Sequence, residues 1–503
     1  MNLFSRFLIS AAAVACGFGV ASALTVSVLP GGLRQAVTAS TNPATETELT
    51  VTGALNAADF DFLREMTSLR LLDLSRATVA AYSGAKTETG LYEAKANTLP
   101  DCALMSGRFT TLALPAGLTE IADGALGGCA AEAVVIPSSV TKIGHGAFSD
   151  MKNLRSVTIP ASVTSMGVMA FADCPALESA VVNAAVDTLP VSTFRNCAAL
   201  SSVTLPASLG VIGDRAFAGC SSLAAIQLPA SLSVIGDMAF ASTGLTAVDL
   251  SGRSLSVIGD WAFAGCPALA TIAMGDGISK VGVGAFFNDP VLAVSLGQLA
   301  ADIDRIPDFL LYGDHAVTAD GFEDTNVESI GKYALSGMTA KTITLPASLL
   351  SLDDNAMERW ANLTEIDAKG LAAVPSLGES VWEETPQEAT VLYVPQALFE
   401  TFKDTPQWQD FDVRTETSFN NPIVTEELAA PLRASCDGML LMVEAPCDIL
   451  AAQLYDISGR CLTVSRASAD PRLTLDTAPF DTRVFLLRLQ LADGSTPVLK
   501  LLR

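Results

Sequence analysis

The apolar positions recur at a fixed interval through the middle of the chain. Phe148, Phe171, Phe194, Phe217, Phe240, Phe263 and Phe286 stand 23 residues apart, and Ile143, Met166, Leu189, Ile212, Ile235, Ile258 and Val281 keep the same phase. Two columns in step over seven units mark a solenoid, because an ordinary domain has no reason to hold such a period. Within one unit, Leu223-x-x-Ile226-x-Leu228 alternates apolar and polar positions, which predicts a short strand. Pro229 ends that strand, since proline offers no amide donor. Pro115, Pro137, Pro160, Pro206, Pro346 and Pro395 hold equivalent places. Ile212-Gly213 reads as a turn, and Asp214-x-Ala-Phe217 as a one-turn helical or 3-10 segment, with Asp214, Asp237 and Asp260 placed as N-caps. No unit buries its apolar face alone, so neighbouring coils must stack. The expected fold class is an α/β repeat solenoid of leucine-rich type, with parallel strands, one per coil.

Weaker units extend the array. Leu104 and Leu126 take the Phe place upstream; downstream the phase slips around an insertion at 314–328, with Phe309 or Leu311, then Leu335 and Met357, as anchors. Residues 24–95 read as an N-terminal cap (49–61) and a first leucine-rich coil (62–75). The array proper spans 96–412, and its last segment, 389–411, supplies Phe402, Trp408 and Phe411 to close the exposed end of the core. The period stops at a linker, 413–435, marked by Asn420-Asn421-Pro422. Residues 436–503 then read as a small antiparallel β-sandwich with strands over 439–445, 450–456, 461–465, 472–476, 484–491 and 497–502.

The motif L-x-x-I-x-L-P followed by I-G-x-x-A-F-x-x-C resembles the BspA-like leucine-rich repeats of Bacteroidota, spirochaete and some protist surface proteins. The resemblance covers 96–412. It implies an exported protein that binds a protein or glycan ligand on host or neighbouring cells, since several members are associated with adhesion. In 436–503, the stretch from Leu454 to Arg460 and the terminal strand from Val498 resemble the C-terminal sorting domain of the type IX secretion pathway. That likeness implies engagement of the outer-membrane export machinery through 436–503. The sequence departs from that pattern at Asp481-Thr482-Arg483-Val484-Phe485, where Gly-x-Tyr is usual. An ordinary sandwich appendage is the alternative.

Charge and leader sequence narrow the setting. The chain carries 54 acidic against 30 basic residues, a formal charge of −24, which repels nucleic acid. The run from Phe7 to Val20 followed by Ala21-Ser22-Ala23 reads as a signal peptide, 1–23, so the expected location is the cell surface or the extracellular space.

Candidate chemistry changes the picture little. Cys129, Cys174, Cys197, Cys220 and Cys266 each lie three residues after an anchor, a repeat column that reads as free buried thiols rather than a metal cluster. One disulfide among Cys436, Cys447 and Cys461 stays open. Only two histidines exist, His145 and His315, and His145 takes a place that is aspartate in sister coils. No nucleophile-elbow, zinc-protease, P-loop or dinucleotide motif occurs, so no catalytic, cofactor or metal residue is assigned. Asp314, Asp320, Glu323 and Asp324 lie close in sequence without an EF-hand spacing, and read as a solvated loop. The strand face offers Ser156, Thr158, Ser202, Thr204, Gln227, Asp249, Thr271 and Thr342 as a candidate binding face. These groups are small, unlike the Trp, Tyr and Arg of concentrated binding sites, and suit broad or multivalent contact. Tyr82, Tyr92, Tyr312 and Trp382 mark loops as the other surface. A structural or assembly component of the envelope with no host ligand is the competing function.

Overall fold

The computed structural model describes residues 23–313, 316–415, 433–437, 440–455, 461–465, 470–477, 479–480, 484–492 and 498–502. The expected signal peptide lies outside the described residues up to position 22, as do Asp314, His315 and 416–432 of the linker. The chain divides into two compact units, Met1–Thr417 and Ser418–Arg503.

In the first unit parallel pairing begins at once. β1 (Leu24–Val28) lies against β2 (Glu48–Leu55), which lies against β3 (Leu71–Val79), and that against Thr111–Ala113. Two helices, α1 (Leu33–Ser40) and α2 (Ala57–Glu65), return the chain and bury Leu33, Val37, Phe60, Phe62 and Leu63. The buried Asp59 carboxylate ties the two turns together, accepting from the amides of Gly31 (2.7 Å), Leu33 (2.9 Å) and Asn56 (2.9 Å). The ladder therefore starts before the 62–75 coil, and the segment 49–61 is made of strand and helix from β2 and α2.

From Thr98 onward most coils lose the helix, Leu296–Leu299 and Phe399–Asp404 being the exceptions, and a second, two-residue strand runs beside the first. The isoleucine column, read from sequence as a turn, forms two-residue parallel strands in register: Ile121 with Ile143, Leu189 with Ile212, Ile212 with Ile235, Ile235 with Ile258. The following glycine permits close stacking of coils. A Cβ at Gly236 would sit 2.5 Å from Asp214 Oδ1 and 2.7 Å from its amide nitrogen, a contact that no side chain tolerates.

The Asp-x-Ala-Phe segment is a chain of turns, not a helix. In each coil the residues two before and two after the anchor take left-handed backbone, as at Arg215 (φ 56°) and Gly219 (φ 77°), then Met238 (φ 55°) and Ser242 (φ 57°). Such residues cannot continue a right-handed helix. Their amides bond outward to the next coil instead: Arg215 N–H to the Asp237 carbonyl and Met238 N–H to the Asp260 carbonyl, each at 2.8 Å. The aspartates consequently do not cap a helix. Asp214 accepts from the amide of Asp237 at 3.0 Å, Asp237 from that of Asp260 at 2.8 Å, and Asp260 from that of Val283 at 3.0 Å.

The core is one continuous aliphatic column with an aromatic spine. The rings from Phe148 to Phe286 stack with centroids 4.9 to 5.7 Å apart and planes within 18°. Leu104 and Leu126 continue the buried column upstream, and Leu311, Leu335 and Met357 downstream. Leu311 rather than Phe309 is the anchor of its coil, since Phe309 is left-handed at φ 58° and half-buried. Trp382, Phe402, Trp408 and Phe411 close the far end with centroids 5.1 to 6.0 Å apart. The parallel ladder runs on to Asp412–Arg414, inside the segment read as a linker.

The second unit is antiparallel throughout its described strands. Its centre is a single 16-residue strand, Leu440–Tyr455, where the sequence suggested two. Pro446 has no amide to offer, and pairing is irregular between Glu444 and Ile449, yet the strand continues. Its first half pairs with Arg433–Asp437 and Asp470–Asp476, its second with Cys461–Ser465 and Val484–Leu491. Leu441, Val443, Ile449, Leu454, Leu475 and Leu487, drawn from both halves, share one core.

Candidate interaction surfaces

The strand face is exposed, as its alternation requires. Ser156 and Thr158 project from Ser156–Ile159, and Ser202 and Thr204 from Ser202–Thr204, all solvent-exposed. Ser156, Ser179 and Ser202 stand in register, as do Thr158, Val181 and Thr204. Gln227 is exposed, on a stretch that forms no ladder, so the face is broken there. Asp249 and Thr271 lie on paired strands beyond the break, with Thr342 on a third sheet paired to Glu365. The named residues thus lie on three sheets, with Gln227 on the unpaired stretch between the first two.

The turn face carries a larger feature that strand-based reasoning misses. Left-handed backbone at the position two before each anchor carries Trp261, Phe309 and Tyr333 on the turn surface, with Phe287 and Tyr312 one residue after their anchors. All five rings are half-buried and touch across four successive coils. Trp261 meets Phe287 edge-on at 5.1 Å, Phe287 stacks on Tyr312 at 5.3 Å, and Phe309 stacks on Tyr333 at 5.2 Å. Only Tyr312 stood out in sequence. The signal was the column two before the anchor, where three aromatics recur.

A cleft of about 620 Å³ opens at the downstream end of this ridge, walled by Phe287, Phe309, Tyr312 and Tyr333. Its other wall is charged. Glu358 is buried and accepts from Ser336 Oγ at 2.8 Å and Asn355 Nδ2 at 3.0 Å. Arg359 lies 3.7 Å from Glu358, donates to Glu384 at 3.2 Å, and reaches the Tyr312 hydroxyl at 3.5 Å. Glu383 accepts from Asn355 Nδ2 at 3.3 Å.

The other singled-out groups are structural. Cys174, Cys197, Cys220 and Cys266 are free thiols, each donating to an anchor carbonyl in the preceding coil at 3.1 to 3.2 Å. Burial pushes the Cys129 and Cys220 thiols up to about 12, which holds them protonated and unreactive. The side chains of Cys436, Cys447 and Cys461 fall outside the described residues. His145 is exposed and stands in for the ladder aspartate, its Nδ1 accepting from the Val168 amide at 3.1 Å. Trp382 is buried in the end cluster, Tyr82 donates to the Ala85 carbonyl at 2.6 Å, and Tyr92 is exposed. In the insertion, Asp320 accepts from Thr318 and Glu323 and Asp324 face solvent. Among the described residues no three His, Cys, Asp or Glu side chains converge as metal ligands, and no helix is long and apolar enough to cross a membrane.

Against known proteins, the family model described as the BspA type leucine rich repeat region matches in six copies over residues 92–201, 187–305 and 304–387. A leucine-rich repeat protein from Bacteroides ovatus is similar in structure, with 20% identity, a TM-score of 0.53, and coverage of 74% of this chain and 83% of its own. At that identity the likeness shows the fold alone. A leucine-rich cell surface protein from Faecalibacterium prausnitzii shares 21% identity over 59% of this chain and 86% of its own, with a TM-score of 0.35. No curated protein matches the chain.

Proposed function

The chain belongs to the BspA-type leucine-rich-repeat family, and from that premise we propose that it is an exported, surface-associated or secreted protein that binds its target without transforming it. The target class is a host matrix protein, a glycan or another cell, and the role is adhesion. The observation that carries this reading is the half-exposed aromatic ridge, five rings spread over four coils. Clustered aromatics at a surface are costly in water and are enriched where proteins meet partners. The small hydroxyl groups of the strand face support an added, broad contact that gains strength by multiplicity. Export is supported by the apolar leader before Leu24. Engagement of the outer-membrane export machinery through residues 436–503 is supported by the likeness of the stretch from Leu454 to Arg460 and of the strand from Val498 to a type IX sorting domain.

The test is retention of the purified chain on a panel of matrix proteins, glycans and bacterial cells. Saturable binding to at least one, above an equally acidic control protein, is expected; none across the panel would sink adhesion. Protease shaving of intact cells with terminal sequencing checks export: a new N-terminus near Leu24 and surface-accessible coils are expected. A chain wholly protected inside the cell would overturn that part.

A further inference from the structure

We propose that the cleft at the end of the aromatic ridge takes the lysine or arginine side chains of a basic peptide segment on the partner. The inference rests on the binding role above and names the chemistry of one of its sites. Two kinds of attraction converge there. The rings of Tyr312, Tyr333 and Phe309 line the cleft, and the quadrupoles of aromatic rings draw cations to the faces that stacking leaves free. Opposite them stand three carboxylates, Glu358, Glu383 and Glu384, against one guanidinium, Arg359. Arg359 is already held by Glu358 and Glu384, and among the described residues no cation pairs with Glu383. The cleft therefore keeps an excess of negative charge beside aromatic walls, the complement of an ammonium or guanidinium group. The formal charge of −24 on the whole chain steers basic segments toward it and acidic ones away. A neutral sugar would use the rings and leave the carboxylate excess unanswered.

The experiment titrates a fluorescent Gly-Lys repeat peptide against the full chain by anisotropy at physiological salt, with an oligoglutamate peptide and a neutral oligosaccharide in parallel. Saturable binding of the lysine peptide alone is expected. The double variant Y312A/Y333A should weaken it about tenfold by removing the ring faces. The variant E383Q/E384Q keeps the shape of the cleft and should weaken it severalfold, while E93Q/E400Q, exposed carboxylates elsewhere, should leave it unchanged. Unfolding curves confirm that each variant is folded, and the glutamine pair carries the test if the alanine pair is not. Equal loss in E93Q/E400Q would overturn the proposal in favour of diffuse attraction. Oligosaccharide binding lost in Y312A/Y333A but kept in E383Q/E384Q would overturn it in favour of a glycan site and leave the adhesion reading standing. No peptide binding by a chain still retained on the panel would also sink this site alone.

Discussion

Phe217 sits in the middle of the aromatic spine, fully buried, with its ring 5.7 Å from Phe194 and 5.3 Å from Phe240. A solenoid coil has nothing but its neighbours to collapse onto, so the hole left by Phe217→Ala stays open on both sides. We expect a loss of about 3–5 kcal/mol, read from urea unfolding; a loss below about 1 kcal/mol would mean that the spine is loosely packed. Asp289 breaks the cysteine column with an acid. It is buried, and its carboxylate accepts from the Cys266 amide at 2.6 Å. Burial pushes its carboxyl up to about 8, the hydrogen bond opposing this only in part. Because the folded value lies above the ordinary 3.8, the native chain keeps a proton that the unfolded chain releases. Its contribution is fully present below about pH 4 and falls as pH rises, by at most about 1.4 kcal/mol per pH unit, levelling above about pH 8. Denaturation midpoints of the native chain and of Asp289→Asn should therefore diverge between pH 4.5 and 8.5, with the asparagine variant the less pH-sensitive. Parallel curves would show that Asp289 is ionised in the fold.

At the level of the coil element, the aspartate ladder replaces what a helix would have supplied internally. Asp237 both receives and gives: its amide donates to Asp214 and its carboxylate accepts from the amide of Asp260. Asp237→Ala removes the acceptor and should cost about 1 kcal/mol, whereas Asp237→Asn keeps an oxygen in place and should cost less. Equal midpoints for alanine and native chains would show that water serves the Asp260 amide as well. The anchor and isoleucine columns were legible in the sequence because burial admits few residue types there. The left-handed turns were not, since Met169, Arg215, Met238 and Trp261 are residues that rarely choose such backbone. Coil-to-coil bonds impose it, and no local propensity announces them. The same cause hid the ridge, because Trp261, Phe309 and Tyr333 occupy that turn column and carry no alternation of their own. The second strand per coil was missed similarly: two residues are too few to show a period.

For the whole molecule, stacking makes each coil answer only to the coils beside it, so length and phase separate as variables. Removing residues 207–229 takes out one 23-residue period and joins Pro206 to Ala230-Ser231-Leu232, the counterpart of Ala207-Ser208-Leu209. Phe194 would then meet Phe240, and Thr188-Leu189 would meet Val234-Ile235 in place of Val211-Ile212. The cysteine column would pass from Cys197 to Thr243, a residue already buried there. Every strand pairing has a successor, and the Asp237 amide comes to face Val191, the place the Asp214 amide holds in the native chain, so this shortened chain should fold with unchanged circular dichroism per residue and a melting point within a few degrees of the native. Removing 207–226 instead leaves Gln227-Leu228-Pro229 behind and shifts each later coil by a fraction of a turn relative to Phe194. That places polar turn residues against the spine, and buried polar groups without partners cost more than one coil contributes. The second deletion should give no cooperative transition. If both shortened chains melted alike, the stability of the array would not depend on phase, and the columns of phenylalanine and isoleucine would have lost their physical meaning.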